Sequence, residues 1–284
     1  MTVRWLIRSA SIGLVVNGPS RLGQWWPALS AQIPGAYGRS VSVDKGPVAL
    51  TLTDSTTLAD TRRLINAMLH SEHLGHDTLS LHGVAVTKAG RAVLLIGDYG
   101  VGKSLTGLAM IRSMGWSPVA GDTCLVRLDA QGTVDVIGGT RAFVVRRSTM
   151  ARWFPAVALS EGDSERVDLA DSLPSQDGGT RRLAGIVIAT VDGGNSVSPP
   201  VPCGRQVAAN ALYRASGHLV AKVLDDAAAD PLLLMEGSEL ARLRLRLVRR
   251  LASTVRCCWV PGTPGEIAAT VNAMTDEEDQ RWAS

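Results

Sequence analysis

The stretch Gly97-Asp98-Tyr99-Gly100-Val101-Gly102-Lys103-Ser104, written GDYGVGKS, decides how the rest of the chain is read. It fits G-x-x-x-x-G-K-[ST] through Gly97, Gly102, Lys103 and Ser104. In such a loop the glycines let successive backbone N–H groups point inward, and the helix that follows adds its positive end. Lys103 would reach the β- and γ-phosphates of a nucleotide, and the Ser104 hydroxyl would hold Mg²⁺. The pattern alone arises by chance, as a glycine-rich turn with a surface lysine. Here the apolar run RAVLLIG precedes it as a buried strand, and SLTGLAMIRSMG continues as a helix that stops at Gly115. That context makes Gly97, Asp98, Tyr99, Gly100, Val101, Gly102, Lys103, Ser104 and Leu105 the expected nucleotide-binding residues. Asp98 and Tyr99 are unusual company for an anion.

Moving outward, metal or proton chemistry needs a second carboxylate, and two aspartates compete. Asp122, in SPVAGDTCL, ends a short strand after the loop helix. Asp192, in GIVIATVDGG, follows a long apolar strand and looks like the Walker B aspartate of ordinary P-loop NTPases. The order strand, loop, helix, strand is α/β grammar, with a helix N-terminus at a sheet edge.

The run LHGVAVTKAGRAVLLIGDYGVGKSLTGLAMIRSMGWSPVAGDTCLV resembles the HPr kinase/phosphorylase family and its compact relatives. That family has a His-Gly strand, a turn, a second strand, a G-D-S-G-x-G-K-S loop, a helix and a V-A-D-D strand end. Here the matching positions are His82-Gly83, Gly97 to Ser104, and Val119-Ala120-Gly121-Asp122. The resemblance implies an α/β fold with a P-loop kinase core of the HPr kinase / phosphoenolpyruvate carboxykinase type. It also implies an ATP- and Mg²⁺-dependent kinase that transfers the γ-phosphate to a hydroxyl, typically serine. Asp122, His82 and Lys103 become the catalytic candidates, and Ser104 and Asp122 the metal ligands. Three departures matter. Gly121 stands where the family has its base toward the acceptor, Tyr99 where it has serine, and Leu105 where HPr kinases often carry glutamate. The later glycine-rich signature of true HPr kinases is missing. The chain therefore looks closer to the compact relatives of peptide or natural-product tailoring than to a regulator of sugar transport. With Gly121 in place, Asp122 does both jobs, or His82 or Asp98 deprotonates the acceptor, or transfer is lost. The competing readings are a P-loop ATPase or switch using Asp192, without the N-K-x-D motif that reads guanine, and a non-catalytic nucleotide-binding regulator.

Composition sets the frame. The chain has 284 residues, 45% of them hydrophobic and 19% charged, which describes a foldable globular protein. A formal charge of +3 gives no argument for nucleic acid. No apolar run approaches the ~20 residues of a membrane helix, so neither nucleic acid nor membrane is an expected partner. Arg8 and Ser9 interrupt the apolar start, which reads as a first strand pair rather than a signal peptide. Cys124, Cys203, Cys257 and Cys258 lack C-x-x-C spacing and read as free thiols in a reducing, cytoplasmic setting. Residues 1–77 read as a small N-terminal α/β or β-rich lead-in that closes with the helix TLADTRRLINAMLH, capped by Thr57. Residues 78–284 read as the core with C-terminal helices. The expected partner is a hydroxyl-bearing peptide, protein or small molecule, and association into a homo-oligomer is left open.

Four further features carry weaker signals. His70, His73 and His76 recur at steps of three, a spacing compatible with zinc or nickel, but read more simply as a solvated helix end. Arg141 after two glycines could face phosphates or pair at the surface. ELARLRLRLVRRLAST reads as an amphipathic covering helix with Leu240, Leu243, Leu247 and Leu251 on one stripe. A basic docking face for an acidic peptide is its sharper reading. The polar loops after Ser160 and after Asp192 are expected to close over the site.

Overall fold

The computed structural model describes residues 2–36, 41–42, 47–159, 162–174, 179–192 and 199–276. The first strands, β1 (Thr2–Ser9) and β2 (Ile12–Pro19), form the expected strand pair, which is an antiparallel hairpin. Helix α1 (Leu22–Ser30) follows, and the short strands β3 (Val41–Ser42) and β4 (Leu50–Thr51) complete a sheet of order β3-β1-β2-β4. Ile7, Leu14 and Val16 of this sheet pack with Leu22 and Leu29 of α1 in one buried cluster. Helix α2 (Leu58–Gly75) starts where the sequence indicates: Thr57 Oγ1 accepts a hydrogen bond from the Asp60 N–H at 3.1 Å. Ile65 and Leu69 of α2 join the N-terminal cluster, whereas Leu74 belongs to the central core. The helix thus ties the lead-in to the rest.

Strands β5 (Thr78–His82), β6 (Val84–Lys88) and β7 (Arg91–Ile96) lead into helix α3 (Lys103–Met114), which ends at Gly115 as predicted. There follow β8 (Ser117–Ala120), β9 (Thr123–Leu128), β10 (Val134–Gly139), β11 (Val144–Arg146), α4 (Arg147–Trp153) and β12 (Arg166–Asp168). The chain continues through β13 (Arg181–Val191), β14 (Val201–Pro202), α5 (Arg205–Ser216), α6 (Gly237–Thr254), β15 (Cys257–Gly262) and α7 (Pro264–Asp276). Nine strands make the central sheet, ordered β5-β9-β10-β13-β7-β6-β8, with β15 alongside β13 and β14 beside β15. The fold among the described residues is mixed α/β, with several sheets and seven α-helices.

Both faces of the central sheet are covered, which explains why its middle strands read as unbroken apolar runs. Leu94 and Ile96 of β7 turn toward a cluster with Leu212 of α5 and Leu247 and Leu251 of α6. Val93 and Leu95 turn the other way, toward Leu108 of α3 and Ile267 and Val271 of α7. The apolar stripe of α6 behaves as expected, with one addition. Arg244 is buried with it, its Nη2 donating to Glu236 Oε2 at 3.1 Å.

The strand order has an unusual closure. β5 lies at one end of the order and β6 next to the other, yet only Gly83 connects them. β8 and β9 are likewise joined by Gly121 and Asp122 alone. The two ends of the order therefore meet at His82-Gly83 and Gly121-Asp122.

The polar stretch 159–179 is not all loop: Arg166–Asp168 pairs with β11 as a two-stranded sheet. Residues 160–161, 175–178 and 193–198, where the closing loops were expected, lie outside the described residues, as does the charged tail from residue 277. All four cysteines are free, including the adjacent Cys257 and Cys258. Among the described residues no helix is long and apolar enough to cross a membrane.

Candidate active site

The loop between β7 and α3 is built around three glycines with positive φ: Gly97 (140°), Gly100 (84°) and Gly102 (99°). Gly102 is also a close approach, since a Cβ there would meet Val191 Cγ2 at 2.2 Å. Lys103, the first residue of α3, is buried, and its Nζ donates to the carbonyls of Gly97 (3.1 Å) and Asp98 (2.9 Å). Burial pulls its pKa down to about 8, against the opposing charges of Asp122 and Asp98. The Asp98 carboxylate turns outward to Arg214 of α5 at 2.9 Å. Tyr99 is 64% exposed and lies between two cations: Arg166 donates to its hydroxyl at 2.6 Å, and the Arg146 guanidinium sits 5.5 Å from the ring centre. Arg146 beside the hydroxyl holds the Tyr99 pKa below its ordinary value.

His82 and Asp122 meet because of strand register. His82 is paired with Thr123 across β5 and β9, and the Gly83 N–H donates to the Asp122 carbonyl at 2.8 Å. Thr140 Oγ1 accepts from the N–H groups of Asp122 (2.9 Å) and Thr123 (3.0 Å), which fixes the peptide that carries the carboxylate. Asp122 Oδ1 lies 3.4 Å from His82 Nδ1, and Oδ2 lies 3.7 Å from His218 Nε2. The two imidazoles stack, with ring centres 4.2 Å apart and planes 23° from parallel. Burial, helped by His218 and Lys103, pushes the His82 pKa down to about 3, so the ring is neutral at ordinary pH. Burial opposes the charge on Asp122, but His218, His82 and Lys222 outweigh it and hold the carboxyl well below the usual range.

These groups face one cavity of about 320 Å³. Tyr99, Gly100, Gly102, Lys103, Ser104 and Leu105 form its loop side, with His82 and Asp122 opposite. Arg62 and Arg63 of α2, Arg146, Arg166 and Lys222 supply a cationic rim, and His218 also lines the cavity. Lys103, Ser104, Asp122 and His82 are thus brought together. Gly97, Asp98 and Val101 do not line the cavity: they shape the loop through their backbones, the Val101 carbonyl accepting from the Val191 N–H at 2.9 Å. Asp192 also lies outside it, at the exposed end of β13, with its N–H on the Gly262 carbonyl at 3.3 Å.

Three other positions gain a definite setting, and one of them overturns its expectation. Arg141 does not line the cavity, and it donates to Ser30 Oγ of α1 at 3.0 Å. The histidine triplet is no solvated helix end, because His70 and His73 are buried and only His76 is exposed. His73 Nε2 lies 2.7 Å from Ser9 Oγ, and His70 Nε2 lies 3.5 Å from Glu236 Oε1. Gly121 leaves no room for a second carboxylate, since a Cβ there would fall 2.1 Å from the Ala142 carbonyl oxygen.

Sequence reasoning missed His218, Arg146, Arg166 and Lys222. His218 occupies the turn after α5 in RASGHLVAK, a context without motif or spacing to mark it. Arg166 was hidden in a stretch read as loop. A scan against protein-family models finds no match for the chain, and a search of the curated proteins finds no significant one.

Proposed function

We propose that this chain is an ATP- and Mg²⁺-dependent phosphotransferase with a P-loop kinase core of the HPr kinase type, acting on a hydroxyl of a peptide, protein or small metabolite. One observation carries the reading: Asp122 shares a cavity with Lys103 and Ser104, and Asp192 does not. The loop amides and the N-terminus of α3 cradle the phosphates. Lys103 supplies the fixed positive charge at their far end. The Ser104 hydroxyl and Asp122 carboxylate are hard oxygen donors of the kind Mg²⁺ prefers, and Mg²⁺, when bound, offsets phosphate charge. The acceptor hydroxyl enters from the Tyr99 side and donates its hydrogen bond to Asp122. A carboxylate this acidic is a weak base. The transition state of phosphoryl transfer is loose, so orientation and charge outweigh early proton removal. Arg146, Arg166 and Lys222 face the region where that charge is spread. The four free thiols accord with a reducing, cytoplasmic setting.

The test compares Asp122→Asn with Asp192→Asn, using labelled ATP, Mg²⁺ and a panel of hydroxyl acceptors. Asp122→Asn is expected to lower turnover by at least about a hundredfold while ATP still binds, and Asp192→Asn to stay within about threefold of wild type. The reverse pattern would return the site to an ordinary P-loop ATPase. ATP binding without transfer to any acceptor would favour a regulator.

A further inference from the structure

We infer that His82, His218 and Asp122 form a binding site for a divalent first-row transition-metal ion. Their ligand atoms all lie within 4.8 Å of one another, the one such group of histidine, cysteine and acidic side chains among the described residues. They come from three separate places: the end of β5, the connection between β8 and β9, and the turn after α5. The two imidazoles stack on each other, but hydrogen bonding to the carboxylate does not account for the arrangement. At 3.4 and 3.7 Å, the two imidazole–carboxylate separations are longer than good hydrogen bonds. His82 Nδ1 is buried and has no hydrogen-bond partner, an arrangement that leaves a polar atom costly unless something ligates it.

The donor set selects the class of ion. Two imidazole nitrogens with one carboxylate suit Zn²⁺, Co²⁺, Ni²⁺ or Fe²⁺, whereas Mg²⁺ prefers oxygen and retains its water. Three protein ligands beside an open cavity also match catalytic rather than closed structural sites, leaving positions for water or a ligand oxygen. An outer shell is in place: Thr140 Oγ1 and the Gly83 N–H hold the peptide that bears the Asp122 carboxylate. Lys103 and Lys222 lie near enough to oppose a second positive charge, and the ionised carboxylate offsets part of that. The site shares Asp122 with the phosphotransfer reading, but it needs no nucleotide, so metal binding alone tests it apart from that reading.

The experiment strips the full-length protein with a chelator and titrates it with Co²⁺ or Zn²⁺ alone, by calorimetry and, for Co²⁺, visible absorption. One ion per chain is expected, with imidazole-ligated Co²⁺ bands and no displacement by a hundredfold excess of Mg²⁺. His218→Gln and Asp122→Asn, each checked for folding by circular dichroism, should weaken binding by at least about tenfold. If His218→Gln fails to fold, Asp122→Asn carries the comparison. Absence of binding, displacement by Mg²⁺, or unchanged affinity in a folded variant would overturn the inference. Transition-metal binding that persists in a protein without kinase activity would leave it intact.

Discussion

Gly121 shows how much one position can depend on contacts that sequence does not display. The departure from V-A-D-D was legible, and so was its chemical meaning, a missing carboxylate. Its cause was not, because the obstruction is the Ala142 carbonyl, far along the chain and placed by the connection from β10 to β11. Restoring the aspartate should therefore damage the fold rather than repair the site. Gly121→Asp is expected to cost about 1–3 kcal/mol or more, as overpacking against backbone does, and to leave turnover no higher than wild type. Urea denaturation midpoints with a phosphotransfer assay check both halves. A stable, more active variant would show that the backbone yields.

At the scale of elements, helices and strands were largely readable, because propensity, caps and periodicity act locally. Thr57 caps α2, Gly115 ends α3, and the strand pair expected at the start of the chain forms, although Asn17-Gly18-Pro19, which read as a turn, lie within β2. The faces of α2 were less readable, since burial of His70 and His73 depends on what packs there. Ser9 Oγ donates to the Pro34 carbonyl at 2.6 Å, so its one proton is used and His73 must donate through Nε2–H. A second proton on that ring would place a charge in a buried setting. Burial, with His70 and His76 adding to it, depresses the His73 pKa to about 4. The unfolded ring takes up its proton near pH ~6.5, so between these values the unfolded state binds more protons. Stability is then complete above pH ~6.5 and falls as the pH drops toward 4, by about 3 kcal/mol for this group. Urea titrations between pH 7 and 5 should show that slope, and His73→Gln should flatten it. An unchanged slope would mean that the ring is protonated in the fold.

For the whole molecule, sheet order was the least legible property, because strand pairing between distant segments leaves little local trace. β13 is the spine: parallel to β7 on one side, it pairs with β10 and then β15 on the other. Amides of Ile186, Val187 and Ile188 should therefore exchange with deuterium only through global unfolding, while the three-pair β11–β12 ribbon exchanges by local opening. Exchange mass spectrometry over minutes to days reads the difference, and comparable rates in both would refute it. The same order explains why the lysine loop was readable on its own and the opposing wall only in part: His82 and Asp122 were reached through the family resemblance, whereas His218 is brought beside them by topology and carries no motif. The one-residue and two-residue connections at Gly83 and Gly121-Asp122 have a last consequence. His82 and Asp122 cannot drift apart unless the sheet itself opens, so the entropy of bringing them together is settled when the protein folds. A ligand arriving there meets a preorganised pair, and only His218, on its turn, is left to adjust.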